Sequence, residues 1–166
     1  MLDVIIRRRS IRKYRREPVP RRMVLDMLKG ALYAPSASNR QPWRFIVMED
    51  RKLLEAVPGF HPHADMVPEA AGCIAVCADT TLSHSGMWIQ DCAAATQNIL
   101  LVAESLGLGA VWLGIHPRED RITGFKALVQ LPRGVEPFSL VAFGWPDEKP
   151  ETPDRWDDSK VRWNRW

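Results

Sequence analysis

Apolar positions along the chain fall into separated runs of different period. Between Pro20 and Ala34, Met23, Leu28 and Ala31 recur with Val24, Met27 and Leu32 at three- and four-residue spacing, while Arg22, Asp26 and Lys29 lie opposite. This is the stripe of a helix that buries one face, and Pro20 suits its start. Gly86–Leu106 predicts a longer helix, nearly apolar all round, with Gly107 placed to cap it. A helix without a polar face belongs in the centre of a fold or at a dimer seam. Gln90, Asp91, Gln97, Asn98 and Glu104 interrupt the Met87–Leu108 stretch, so a buried helix is expected rather than a membrane span.

Shorter runs at Trp43–Met48, Ala71–Ala78, Ala110–Ile115 and Phe138–Gly144 predict strands, the second fully buried. Residues 3–9, Arg51–Val57 and the stretch near Arg118–Leu128 predict short helices; Pro58-Gly59 closes the second of these. Glu17-Pro18-Val19-Pro20 is an extended connector. Phe60–Glu69 is loop by composition, and a polar, proline-broken tail follows Pro146. Helices and strands intermix without strict alternation or an internal repeat, and no Gly-x-Gly-x-x-Gly follows a strand. The fold class is therefore α+β, one domain over residues 1–166.

Charge sharpens this picture at one end. The chain carries +3 in all, but residues 1–22 hold nine Lys/Arg against Asp3 and Glu17. A basic arm invites a nucleic-acid reading. Its interleaved Ile5, Ile6, Ile11 and Tyr14 look core-facing, however, and stacking aromatics are scarce there, so no nucleic-acid partner is expected. Three of the seven tryptophans fall in the last eleven residues, a tail expected to dock on its own body or on a partner. Cys73, Cys77 and Cys92 lack a metal-finger spacing. A charged amino end without a signal pattern makes a reducing cytoplasm the expected setting.

Two segments carry chemistry. Arg7-Arg8-Arg9-Ser10-Ile11-Arg12-Lys13-Tyr14 concentrates guanidinium groups, which bind phosphate oxygens in planar bidentate pairs at any accessible pH. Ala34-Pro35-Ser36-Ala37-Ser38-Asn39-Arg40-Gln41-Pro42 offers hydroxyls, a side-chain amide and turn-held backbone groups. Asn39 presents donors and acceptors together, a match for the pyrimidine edge of a flavin. Taken alone, the first is equally a solvated charge run and the second an ordinary turn. Their order and spacing, continued by Trp43-Arg44-Phe45-Ile46-Val47, resemble the opening third of the nitroreductase family of FMN-dependent oxidoreductases. Asp91 to Asn98, Leu106 to Gly114, Phe143-Gly144-Trp145-Pro146 and the Arg155–Trp166 tail are similar to later parts of its shorter members.

That resemblance implies a mainly antiparallel sheet flanked by helices, and a homodimer with two FMN sites at the subunit interface. It implies NADH or NADPH as electron donor and a tail, about residues 147–166, wrapping the partner. It assigns the FMN phosphate and ribityl chain to Arg8 and Ser10 with Arg9 beside them, and the ring near N1 and O2 to Arg12. Pro35, Ser36, Ala37 and Asn39 would reach the ring from the other subunit. Backbone at Leu113 and Gly114 would face N5, and Arg155 would close on the phosphate. No side chain is expected to act as nucleophile, general base or metal ligand. His61-Pro62-His63 with Asp65 is expected to be a surface loop rather than zinc ligands. His84, Ser85 and Asp91 form no elbow motif, and Cys92 is expected to pack rather than react. Two rival readings remain at this level: a chain that carries or modifies flavin without NAD(P)H turnover, and a basic-arm nucleic-acid module.

Overall fold

The computed structural model describes residues 1–166. Five helices are present: α1 (Leu2–Arg7), α2 (Arg21–Leu32), α3 (Arg51–Ala56), α4 (Trp88–Ser105) and α5 (Glu119–Val129). The strands are β1 (Tyr14–Arg15), β2 (Trp43–Met48), β3 (Gly72–Asp79), β4 (Gly109–Gly114) and β5 (Val135–Pro146). β5 is the hub. It pairs antiparallel with β3, with β4 and, over its last two residues, with β1, while β2 pairs antiparallel with β3. The α+β, mainly antiparallel expectation is met.

The apolar run of β3 is buried on both faces. Cys73, Ala75 and Cys77 point into one core with Leu54, Val57, Val67, Leu113, Phe125 and Leu140. Ile74, Val76 and Ala78 point into the other with Met27, Ala31, Trp43, Ala95, Ile99 and Phe143. Period-two alternation thus feeds two cores instead of core and solvent. One layer is built from α3, α5 and the Val57–Ala70 segment, the other from α2 and α4. The second layer is tight because Gly30 sits where α2 crosses α4: a Cβ there would lie 2.6 Å from Val102 Cγ2. Asn98 Nδ2 donates to the Gly30 carbonyl at 3.0 Å across the same contact.

Several expectations need correction. Ile5 and Ile6 are exposed, because α1 lies along the edge of α4 and covers little; Ile11 and Tyr14 are buried as expected. The Phe60–Glu69 segment is irregular but not superficial, since Ala64, Val67 and Ala70 are core residues. His61 is likewise buried, 1% exposed, so the surface-loop reading fails for that residue. The start of the tail is tied to the body through Glu148 and Glu151, whereas its tryptophans are not covered by their own chain: Trp156, Trp163 and Trp166 are 73%, 85% and 103% exposed. Helix ends differ by up to two residues, and β5 runs longer than Phe138–Gly144. No helix is long and apolar enough to cross a membrane.

Candidate functional site

The basic segment is laid against the start of β4. Ser10 bridges Ala110 in parallel, and the Ile11 N–H donates to the Ala110 carbonyl at 3.0 Å. Gly109 makes this approach available, because a Cβ there would lie 2.6 Å from Ile11 Cγ2. Downstream, Lys13 N–H donates to Glu148 Oε1 at 3.1 Å and Tyr14 Oη donates to the Ile11 carbonyl at 2.6 Å, with Arg12 N–H also on Glu148. These bonds leave the Arg12 side chain exposed.

The arginines divide their work. Arg9 donates to the carbonyls of Ile6 and Arg8, closing the end of α1, and to the Glu151 carbonyl at 3.2 Å, tying down the start of the tail. Its guanidinium is therefore spent on backbone. Arg7 holds Glu104 at 3.5 Å. Arg8 and Arg155 have no carboxylate partner among the ion pairs. Burial, then the charges of Arg9 and Arg155, pull the Arg8 guanidinium below its ordinary value, and Glu104 alone acts the other way. A half-buried guanidinium without an ion-pair partner, with a second, exposed arginine charge acting on it, is electrostatically suited to an anion.

The second segment sits at the opposite end of α4. Ser38, Asn39 and Gln41 all take left-handed backbone angles, with φ of 51°, 53° and 51°, a cost that non-glycine residues bear only where neighbours enforce it. Ser36 Oγ accepts from Gln41 N–H at 3.0 Å, and Asn39 Oδ1 accepts from Gln41 Nε2 at 2.9 Å. The Ala37 N–H donates to Asp91 Oδ1 at 2.9 Å. Asp91 is buried in the first turn of α4, and its Oδ2 has no partner. This anchor escaped the sequence reading, which weighed Asp91 only for a triad. A carboxylate in an otherwise apolar helical run was the available signal. Ala37 offers no free N–H, whereas the Asn39 amide nitrogen stays open and exposed.

Leu113 and Gly114 end β4. The Leu113 side chain is buried in the α5-side core, leaving only its backbone for a ligand. Gly114 has nothing within 4 Å of the position a Cβ would take. Its carbonyl accepts from His61 Nε2 and Arg121 Nη1, two residues that no motif or spacing connects. Beside it, Trp88 meets His116 edge-on at 4.8 Å between ring centres, and Trp112 meets Phe138 at 5.6 Å. Burial pushes the Cys77 and Cys92 thiols up to about 12, so Cys92 is packing, as expected.

One chain therefore sets Arg8 next to Ser10, with the Arg155 charge acting on Arg8, and places Gly114 four residues along β4 from Ala110, about 14 Å at strand rise. It does not bring the Pro35–Asn39 loop to the arginines. The loop is anchored at Asp91 and the arginines at Glu104; thirteen helical residues separate them, about 20 Å.

The comparisons agree with this architecture. The sequence model of the nitroreductase family matches residues 5–74 and 64–145. A relative from Methanothermobacter thermautotrophicus, named "Putative NADH dehydrogenase/NAD(P)H nitroreductase", is 45% identical over all of this chain and 87% of its own length. The crystal structure of a protein of the same name from Parabacteroides distasonis superposes with a TM-score of 0.96 at 38% identity, covering 99% of this chain and 98% of that one. An FMN-dependent nitroreductase from Clostridium difficile covers 100% of both chains with a TM-score of 0.94 at 27% identity. The chain belongs to the nitroreductase family.

Proposed function

We propose that the protein is an FMN-dependent oxidoreductase that moves hydride from NADH or NADPH to a planar, electron-poor acceptor of the nitroaromatic or quinone type. The observation that carries this is the half-buried Arg8, without an ion-pair partner and next to Ser10, which bridges β4 about 14 Å along that strand from an end whose glycine faces open space. The Arg155 charge also acts on Arg8. That donor set fits a phosphate at one end and a flat ring at the other. Arg8 and Arg155 would hold the phosphate, with the Ser10 hydroxyl on the phosphate or ribityl chain and the exposed Arg12 at the ring edge. Arg9 would serve from behind, by fixing the tail. Bound FMN supplies the hydride chemistry, and the protein orients and tunes it.

The working unit is a homodimer with two such sites at its seam. In favour of this, Leu25, Leu32 and Tyr33 are exposed beside Ile5 and Ile6, and a groove of about 390 Å³ opens between α1, α2 and α4. Obligate seams resemble a core cut in half. The 20 Å between loop and arginines disappears if the Pro35, Ser36, Ala37 and Asn39 loop comes from the other copy. Residues 1–166 form one domain, and residues 147–166 wrap the partner, which would cover the three exposed tail tryptophans. Three free, buried thiols suit a reducing cytoplasm.

The test is the visible spectrum of the purified protein before and after anaerobic NADPH, then NADH. A flavin spectrum bleached by either donor is expected. A flavin that stays oxidised would favour a carrier or flavin-modifying protein, and a colourless protein that takes up no FMN would overturn the assignment.

A further inference from the structure

The Gly114 carbonyl is gripped by side chains from two distant segments. His61 Nε2 lies 3.0 Å from this oxygen, and Arg121 Nη1, from the first turns of α5, donates to it at 2.7 Å. The tautomer of His61 follows from its other nitrogen. The His63 N–H donates to His61 Nδ1 at 3.3 Å, which leaves the ring proton on Nε2, facing Gly114. Burial, and then the Arg121 charge, hold the His61 pKa below its ordinary value, so the ring is neutral and donates one hydrogen bond. Arg121 Nη1 also approaches Nε2 at 3.3 Å; with that proton directed at Gly114, the contact is proximity rather than a second bond.

The same peptide is held at its nitrogen. Ile115 N–H donates to the Phe138 carbonyl at 3.1 Å, and His116 N–H reaches the same oxygen at 3.0 Å. The Gly114–Ile115 plane is thus fixed from both sides, at a glycine that would otherwise be the freest joint in the strand. A fixed cation sits one hydrogen bond behind it. Two side chains converging on a single carbonyl exceed what a strand end needs, and Arg121 keeps a buried Nε without a partner to achieve it. Such an unmet donor costs stability. Support of this kind, from residues that do not touch the ligand, is what holds a functional site in register.

We propose that His61 and Arg121 are positioning residues for the redox site. Resting on the flavin assignment above, they lock the backbone at the end of β4 so that it meets the ring in one orientation, and Arg121 sets the local potential. Reduction adds negative charge to a bound flavin, and a nearby fixed cation favours that form.

The experiment uses the full chain as wild type, His61→Leu, His61→Gln, Arg121→Met and Arg121→Gln. Each is checked for folding by melting and for size by sedimentation, then loaded with FMN. FMN affinity is read by fluorescence titration, and the midpoint potential of the bound flavin by equilibration with reference dyes. His61→Leu and Arg121→Met are expected to weaken FMN binding roughly fivefold, the equivalent of one hydrogen bond. Arg121→Met and Arg121→Gln are both expected to make the potential more negative, because each removes the charge. His61→Gln, which keeps an N–H donor, is expected to return affinity toward wild type. Arg121 is only half-buried, so its variants carry the test even if His61→Leu does not fold. Folded, FMN-loaded Arg121 variants with the wild-type potential would overturn the proposal while leaving the flavin assignment standing. A wild type that takes up no FMN would overturn both.

Discussion

The two polar segments at the ends of α4 are built in opposite ways. At the Asp91 end, the Pro35–Gln41 loop is set by backbone geometry: three left-handed residues, two internal side-chain bonds and one buried carboxylate on the Ala37 N–H. At the Glu104 end, charge dominates. Neither Arg8 nor Arg155 is ion-paired, and the tail that carries Arg155 is almost wholly exposed in the single chain. A preorganised loop gives shape before any ligand arrives. An unpaired cation gains its partner only when an anion arrives, and on the proposed reading that arrival would draw in the tail that carries Arg155.

The largest effect should come from removing the tail. Deleting residues 153–166 removes Arg155 and three exposed tryptophans, each worth about 2 kcal/mol once buried. Sedimentation should show a dimer dissociating at least a hundredfold more readily, with FMN lost. A truncated protein that stayed dimeric and yellow would refute the wrapping tail and leave the two ends independent. Next, Arg8→Ala should weaken FMN by about 10- to 100-fold, the 1.5–3 kcal/mol of a charge-assisted bond, in a dimer that still folds. Fluorescence titration reads this, and undiminished affinity would count against the phosphate role.

A smaller effect is expected at the other end. Asp91→Ala frees the Ala37 N–H and should cost roughly threefold to tenfold in FMN affinity. It should also speed alkylation of the neighbouring Cys92. With its pKa raised to about 12 by burial, that thiol is almost entirely protonated at pH 8, whereas an unfolded thiol, near 8.5, is partly thiolate there. Slow labelling in the wild type therefore reports an intact site, and equal labelling rates in both proteins would mean that Asp91 does not order this end. The smallest effect is that of salt. Between 50 and 300 mM, the arginine end should lose a few-fold in FMN affinity through screening, and Arg8→Ala should abolish most of that dependence.

Much of the molecule was legible because periodicity records burial. Met23, Met27 and Ala31 announced α2, and the unbroken apolar run at 71–78 announced a strand covered on both faces. Gly107, with φ of 77°, ends α4 where the sequence placed its cap. The basic run and the Pro35–Asn39 loop were recognised together by order and spacing. What escaped were contacts between residues far apart in the chain. His61 reads as a loop histidine until Gly114 and Arg121 close around it. Asp91 reads as an interruption until the Ala37 N–H meets it. Arg9 reads as one more phosphate ligand until the carbonyls of Ile6, Arg8 and Glu151 claim it. Ile5 and Ile6 read as core because local pattern cannot show that α1 lies along the edge of α4 and leaves them exposed.

Local pattern was enough for the five helices, four of the five strands, the α+β class and the two polar segments, since each depends on neighbours within a few residues; the two-residue β1 exists only through its pairing with β5. The tertiary structure alone decided which arginines remain free, which carboxylate fixes the loop, and that loop and arginines lie about 20 Å apart along α4. Hydrogen bonds and unpaired charges are properties of groups meeting across the sheet, and local pattern carries no record of distance.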